Sequence, residues 1–416
     1  MIGRFSSIVC SSLVLAASLL SSAFGGSGKP SSATGLDIDR LKTIPVRLQA
    51  LVDNYTLPGV VSLVARHGEI AELDAVGWAD IEGRKPMRTD SIFQIMSMTK
   101  NFTGVAAMML MEEGKLELRK NVEDYLPEFK GIELAESGSG PGLLHPPKHP
   151  PTVWQLMSHT SGLGGDPDGA LKDNPYTMRV PLADAVRFYG SHEHLIFEPG
   201  TRWSYSNMGI ATLGRIVEVV SGDDYVHFVK SRILDPLGMK DTFYFAPTEK
   251  RDRIVMVYKH ADGKLVRSGG EILAGDPAKF REGAKYPAPE FGLYSTAPDL
   301  FRFYQMLLNG GVYEGRRYLS RQSIETMTRV FTPEVNPSGW MGGTGYGLTF
   351  EVVDKPEGTL LLHSPGTFGH GGAFGTEGWI DPKNDLIRIE MVQVSDGTGG
   401  AARSVVMQIG EAAVVQ

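Results

Sequence analysis

The sequence predicts an α+β fold: a mostly antiparallel sheet built from both ends of the chain, flanked by helices, with a helical region inserted between the two halves. Three observations predict it. β-Rich runs separated by glycine turns occupy residues 60–78 and return in the C-terminal third. Between them, residues 115–289 read as helices broken by Gly/Pro loops. And 416 residues that are 42% hydrophobic and 21% charged suffice for one large core, with 50 glycines and 25 prolines spread along the chain rather than concentrated in a disordered tract.

The elements follow in order. Arg4, the apolar run Ile8–Leu20 and the small-residue exit Ser21–Gly26 form the pattern of a secretory signal, expected over residues 1–26, with a linker over 27–36. The run is too short for a bilayer-spanning helix, which needs ~20 residues. The only cysteine, Cys10, lies inside it, so no thiol, disulfide or cysteine-based zinc site is expected in the mature protein. An exported, periplasmic or secreted protein without stable membrane insertion follows. One catalytic domain is expected over 37–416, its α/β part at 37–114 and 290–416 and its helical part at 115–289.

Within it, a helix is expected over Asp37–Tyr55, ended by Leu57-Pro58-Gly59. Val60–Arg66 and Glu69–Trp78 read as a hairpin turning at His67-Gly68. Val105, Met108, Met109 and Glu112 share helical spacing in Thr99–Glu113, with Gly114 as its stop. Met208–Val220 is a second clear helix, closed by Ser221-Gly222. Strands are expected at Gly347–Val353, Ala373–Ile380 and Asp385–Val394, and a last helix at Ala401–Val414.

The formal net charge is −7, and no basic tract exceeds two residues, which argues against a nucleic-acid surface. No Gly-x-Ser-x-Gly occurs, so an α/β-hydrolase elbow is excluded as well. His192-Glu193-His194 lies in what reads as a loop, with no third ligand apparent, and no metal is assigned to it.

Three segments carry chemistry. Ser97-Met98-Thr99-Lys100 opens the Thr99 helix, and residues three apart share a helix face. The pair is either a capping serine beside a solvated lysine or a hydroxyl activated by an amine, with the helix N-terminus offering N–H groups to an oxyanion. Tyr205-Ser206-Asn207 is the only Tyr-x-Asn in the chain. Its phenol either packs under a helix start capped by Asn207 or, beside a cation, exchanges protons with the serine. Phe368-Gly369-His370-Gly371-Gly372-Ala373-Phe374-Gly375 is either a plain glycine-rich turn or a place where a ligand approaches the backbone closely.

In this order, Ser-x-x-Lys, Tyr-x-Asn and His-Gly-Gly, the segments resemble those of the serine β-lactamase and penicillin-binding protein superfamily, and the tyrosine resembles the class C β-lactamase and family VIII esterase branch. The likeness extends over about Pro58–Pro382. It includes Phe93-Gln94-Ile95-Met96, His159-Thr160-Ser161-Gly162-Leu163, Phe197-Glu198-Pro199-Gly200-Thr201 and Gly292-Leu293-Tyr294-Ser295-Thr296. The resemblance implies a β-lactamase/transpeptidase-like fold, Ser97 as the acylated nucleophile, Lys100 and Tyr205 as its proton-transfer partners, and Asn207 as a substrate or lysine ligand. It places the oxyanion on the backbone N–H groups of Ser97 and Ala373, with His370, Gly371 and Gly372 along the substrate.

One departure bears on the substrate. β-Lactamases usually carry Lys-Thr-Gly in the third segment, where cation and hydroxyl hold a carboxylate. Here His370 stands for the lysine and Gly371 for the threonine. Short acyl esters, or related amides, hydrolysed without a cofactor are therefore expected. The competing readings are a β-lactamase or D-amino-acid-directed peptidase of the same superfamily, and a non-catalytic binding or sensor relative. His159 is read as a hydrogen-bonding residue of a turn, and Trp203 as either lining the pocket or packing.

Overall fold

A computed structural model describes residues 33–135, 143–165, 179–268, 281–332, 339 and 342–415. The expected signal and most of the linker lie outside these residues.

An eight-stranded sheet runs through the middle. Its strands are β1 Gly59–Arg66, β2 Glu69–Asp80, β3 Lys85–Pro86, β4 Thr344–Tyr346, β5 Glu351–Val353, β6 Phe368–Gly371, β7 Glu377–Asp381 and β8 Leu386–Met391. The spatial order is β4-β5-β6-β7-β8-β1-β2-β3, and every neighbouring pair is antiparallel. The two ends of the chain join at β1 and β8, in register from Val61 opposite Met391 to Arg66 opposite Leu386. The β1–β2 hairpin turns at His67 and Gly68, with φ of 55° and 78°, the two left-handed positions of a type I′ turn.

β1 is buried along its whole length because both sheet faces are covered. Val61, Leu63 and Ala65 face the larger core, which includes Phe303 and Leu307 of helix Ala297–Leu308. Val60 and Val64 face a second core with Leu48 of helix Thr43–Asp53 and Val406 of helix Gly400–Ala412. Numbered with the other helices that position the site, these are α1 Thr43–Asp53, α2 Thr99–Glu112, α3 Val153–Met157, α4 Leu182–His192, α5 Asn207–Ser221, α6 Ala297–Leu308 and α7 Gly400–Ala412. α2, whose residues Thr99 to Leu110 are all buried, lies in the larger core and packs against α5. That contact sets the two helix starts, at Thr99 and Asn207, side by side. α5 ends as expected at Gly222, whose φ of 72° lets its N–H reach back to the Glu218 carbonyl.

Several boundaries differ from expectation. The first helix is interrupted at Lys42, giving a short turn Ile38–Leu41 before α1. The expected strand Gly347–Val353 begins only at Glu351, because Thr349 turns the chain with a φ of 67°. The larger correction concerns the third segment. Phe368–Gly371 is itself a strand, and Ala373-Phe374-Gly375 forms the turn to β7 rather than the start of a strand. Glycines are poor strand formers, so the segment reads as a turn in sequence; here they serve close approach. A Cβ on Gly369 would collide with the Gly378 carbonyl, and one on Gly372 would stand 2.5 Å from the Ile95 carbonyl oxygen.

Candidate active site

Ser97 is delivered by a short antiparallel ladder, Phe93–Gln94 with Tyr294–Ser295. Ile95 extends it by donating to the Leu293 carbonyl at 3.0 Å. Met96 then turns the chain sharply, with a left-handed φ of 47°, into a single 3-10 turn ahead of α2. Every residue from Ser91 to Lys100 is buried except Ser97, which is half-buried. The turn thus lifts one hydroxyl out of an otherwise closed surface.

Lys100 sits one turn below it with no exposed surface. A buried ammonium is tolerated only when its N–H groups are met. Lys100 Nζ donates to Ser97 Oγ at 3.1 Å, to Asn207 Oδ1 at 2.9 Å and to the Glu290 carbonyl at 2.8 Å. These acceptors favour the charged form of the amine. The face of Tyr205 lies beside it, its ring centre 4.6 Å from Nζ, a cation–π contact. Ser97, Lys100, Tyr205 and Asn207, drawn from two helix starts and the loop before the second, therefore converge around one nitrogen.

The Tyr205 loop is built on the His159–Gly165 segment. Ser206 caps α5 by accepting the Gly209 N–H, and its hydroxyl donates to the Gly164 carbonyl at 2.7 Å. The Asn207 N–H donates to the Gly165 carbonyl at 2.8 Å. His159 is buried, and Trp203 packs on this cluster, its ring 6.4 Å from Tyr205 and 6.0 Å from Tyr346.

His370 departs from what its place in the third segment implied. Its side chain is only 2% exposed. Nδ1 lies 2.6 Å from the Gly371 carbonyl, which only accepts, so Nδ1 donates; Nε2 then accepts the Tyr346 hydroxyl at 2.8 Å. That pattern is the neutral tautomer. Burial, and after it the Lys100 cation, push its pKa down to about 3. Both ring nitrogens are thus spent inside the protein, and the imidazole offers neither charge nor a free donor to a ligand. Gly371 and Gly372 are half-buried on the strand end and turn, and Ala373 is exposed. Gly372 abuts the backbone of Ile95, which brings this turn beside Ser97. Among the described residues, the Ala373 N–H meets no acceptor.

Three contributors were not legible in the motifs. Glu290 acts through its backbone carbonyl, which no side-chain pattern announces. Tyr346 lies in the unremarkable run Gly345-Tyr346-Gly347, and Met96 contributes a backbone angle. The His192 pair is also corrected: His192 ends α4, because the apolar face Leu182, Ala185, Val186 and Tyr189 carries the helix that far, and its ring stacks on Phe188 at 4.1 Å. Among the described residues no group of three or more His, Cys, Asp or Glu side chains could hold a metal ion.

The sheet, the paired helix starts and the serine–lysine contact define an enzyme of the serine-hydrolase type on the β-lactamase and transpeptidase fold. Residues 47–409 match the family described as Beta-lactamase, and the chain belongs to that family. It is 31% identical to Protein Rv1367c of Mycobacterium tuberculosis over 363 residues, covering 83% of this chain and 88% of that protein. It is 29% identical to Esterase EstB of Burkholderia gladioli over 376 residues, covering 82% and 88%. Among solved structures, EstCE1, described as a hydrolase with promiscuous acyltransferase activity, superposes with a TM-score of 0.76 at 23% identity, covering 91% of this chain and 99% of that one.

Proposed function

We propose that the protein is an exported esterase that cleaves short acyl esters, or related amides, by two-step acyl transfer on Ser97. The carrying observation is the 3.1 Å contact between Lys100 Nζ and Ser97 Oγ beneath the Tyr205 ring. Ser97 Oγ bonds to the substrate carbonyl carbon while its proton passes to the Tyr205/Lys100 pair. The carbonyl π electrons move to oxygen, which the N–H groups of Ser97 and Ala373 receive. Collapse of that intermediate breaks the bond to the alcohol, which departs with the proton held by the pair. Water then attacks the acyl-serine, losing its proton to the same pair, and Ser97 recovers its own. Tyrosine and lysine titrate together in such an arrangement, so the proton belongs to both.

Two observations favour a substrate without a carboxylate at the third segment. His370 is neutral and enclosed, and Gly371 supplies no hydroxyl. The likeness to Esterase EstB favours the same substrate class. The apolar run at Ile8–Leu20 supports export, with a mature chain beginning near Gly26. The deciding experiment offers the purified mature protein p-nitrophenyl butyrate and a chromogenic cephalosporin side by side. Ester cleavage with slow or absent cephalosporin cleavage is expected, together with labelling of Ser97 by a fluorophosphonate. Rapid cephalosporin cleavage without ester turnover would reverse the substrate assignment, and an unlabelled serine would end the enzymatic one.

A further inference from the structure

We propose that His159 is the residue that positions Tyr205, with Nδ1 as the side-chain atom that does so; this rests on the reading of Tyr205 as part of the proton-transfer pair. His159 holds the chain on both sides of the tyrosine. Its backbone carbonyl accepts the Ser204 N–H at 3.0 Å, and its Nδ1 accepts the Ser206 N–H at 3.1 Å. Tyr205 is the one residue between these two bonds, and its ring lies 4.4 Å from the imidazole, centre to centre. A shift of the Ser206 amide would move the phenol relative to Lys100 and, because Ser206 caps α5, would move Asn207 with it.

The local conformation serves this grip. His159 adopts a left-handed φ of 58°, uncommon for a residue with a Cβ, which directs both its carbonyl and its ring at the same short loop. Accepting an N–H requires an unprotonated Nδ1, so any ring proton sits on Nε2. Nε2 is buried and meets no acceptor among the described residues, which leaves Nδ1 as the only nitrogen with a bonding role. Burial, then the Lys100 cation and His370, hold the imidazole well below its usual pKa, so Nδ1 stays available. Neither nitrogen is placed to act as a base toward Ser97.

The test compares His159→Asn, His159→Gln and His159→Ala. Asparagine tolerates the left-handed conformation and carries Oδ1 on the same carbon that bears Nδ1 in histidine. Glutamine places its oxygen one bond further out. kcat and KM for p-nitrophenyl butyrate, the rate of Ser97 labelling by a fluorophosphonate and the thermal midpoint are measured for each. Asparagine should keep kcat within about 5-fold of wild type, whereas glutamine and alanine should lower kcat and labelling by about 100-fold, the scale of a small misplacement in a reacting group. KM should change far less. Should the alanine variant not fold, the asparagine and glutamine variants carry the comparison. Equal losses in all three at comparable thermal midpoints, or wild-type kcat in all three, would overturn the proposal. A wild-type protein that neither turns over ester nor labels would instead overturn the reading of the site beneath it.

Discussion

Gly104, on the helix that carries Lys100, stands so close to Thr349 that a Cβ there would collide with the threonine hydroxyl. Thr349 cannot easily withdraw. Its N–H donates to the Met157 carbonyl at 2.8 Å, and its carbonyl accepts Asn101 Nδ2 at 2.6 Å. Gly104→Ala should therefore lower stability by about 1–3 kcal/mol, the usual cost of overpacking, against a helix-propensity gain of ~1 kcal/mol. Thr349→Gly in the same background should restore the thermal midpoint, since it removes the collision and suits the positive φ. Additive losses in the double variant would show that the contact is not the cause.

Ser97→Ala should leave the unfolding free energy within about 1 kcal/mol of wild type and reduce kcat/KM for esters by several orders of magnitude. Lys100→Met should do comparable kinetic damage and also destabilise the fold, because it removes the donor that Asn207 Oδ1 and the Glu290 carbonyl share. Calorimetry beside steady-state kinetics separates the two effects. A Lys100→Met protein with normal turnover would disprove the proton-transfer role.

His370→Ala is expected to act first on stability. Removing the ring opens a cavity and leaves the buried Tyr346 hydroxyl without its acceptor, an effect of about 1–3 kcal/mol for the unmet hydroxyl alone. The enclosed ring makes a change of fold stability the leading outcome. Urea unfolding of the variant checks it, and an unchanged midpoint with an altered substrate profile would show that the ring acts on the substrate instead.

A pH-dependent clamp lies away from the site. His260 Nδ1 is 2.7 Å from Asp396 Oδ2, and Nε2 is 3.0 Å from the Tyr55 carbonyl. Both partners only accept, so both ring nitrogens donate and the ring is charged. The Asp396 contact, then the Tyr55 carbonyl, raise the His260 pKa. Its contribution is complete below the ordinary value of ~6.5 and is lost as pH rises through the folded value. Asp396 runs the other way: burial pushes its carboxyl up, but bonds from Thr398 and His260 outweigh that and hold it well below the usual range. Its share is present above ~3.9 and disappears only in strong acid. Stability should fall by less than ~1 kcal/mol as pH rises above about 6.5, since the pair is partly exposed, and His260→Ala should flatten that slope. Identical slopes in both proteins would remove the assignment.

Much of this arrangement is legible in the residues. The β1–β2 hairpin shows in its β-rich runs and in His67-Gly68, and α5 in its spacing and its closing Gly222. Ser97, Lys100, Tyr205 and Asn207 stand out through the order of three motifs that resembles a known superfamily, each motif being ambiguous alone. What stayed hidden depends on backbone placement. The Glu290 carbonyl and the Met96 turn exist only once the chain is folded. β6 was missed because its glycines argue against a strand locally, whereas their purpose is to let Gly378 and Ile95 come near. The burial of His370 depends on Tyr346, a partner from another strand.

The joining of β1 to β8 has a consequence for biosynthesis. β1 cannot acquire its second neighbour until Leu386–Met391, far along the chain, has been translated. α6, which packs on β1 and β8 and against which Phe102 of the nucleophile's helix stacks through Phe303, therefore waits through most of synthesis for part of the sheet beneath it. Pairings between such distant segments close slowly. A ribosome that stops before β8 should release an inert, protease-sensitive fragment rather than a weakened enzyme.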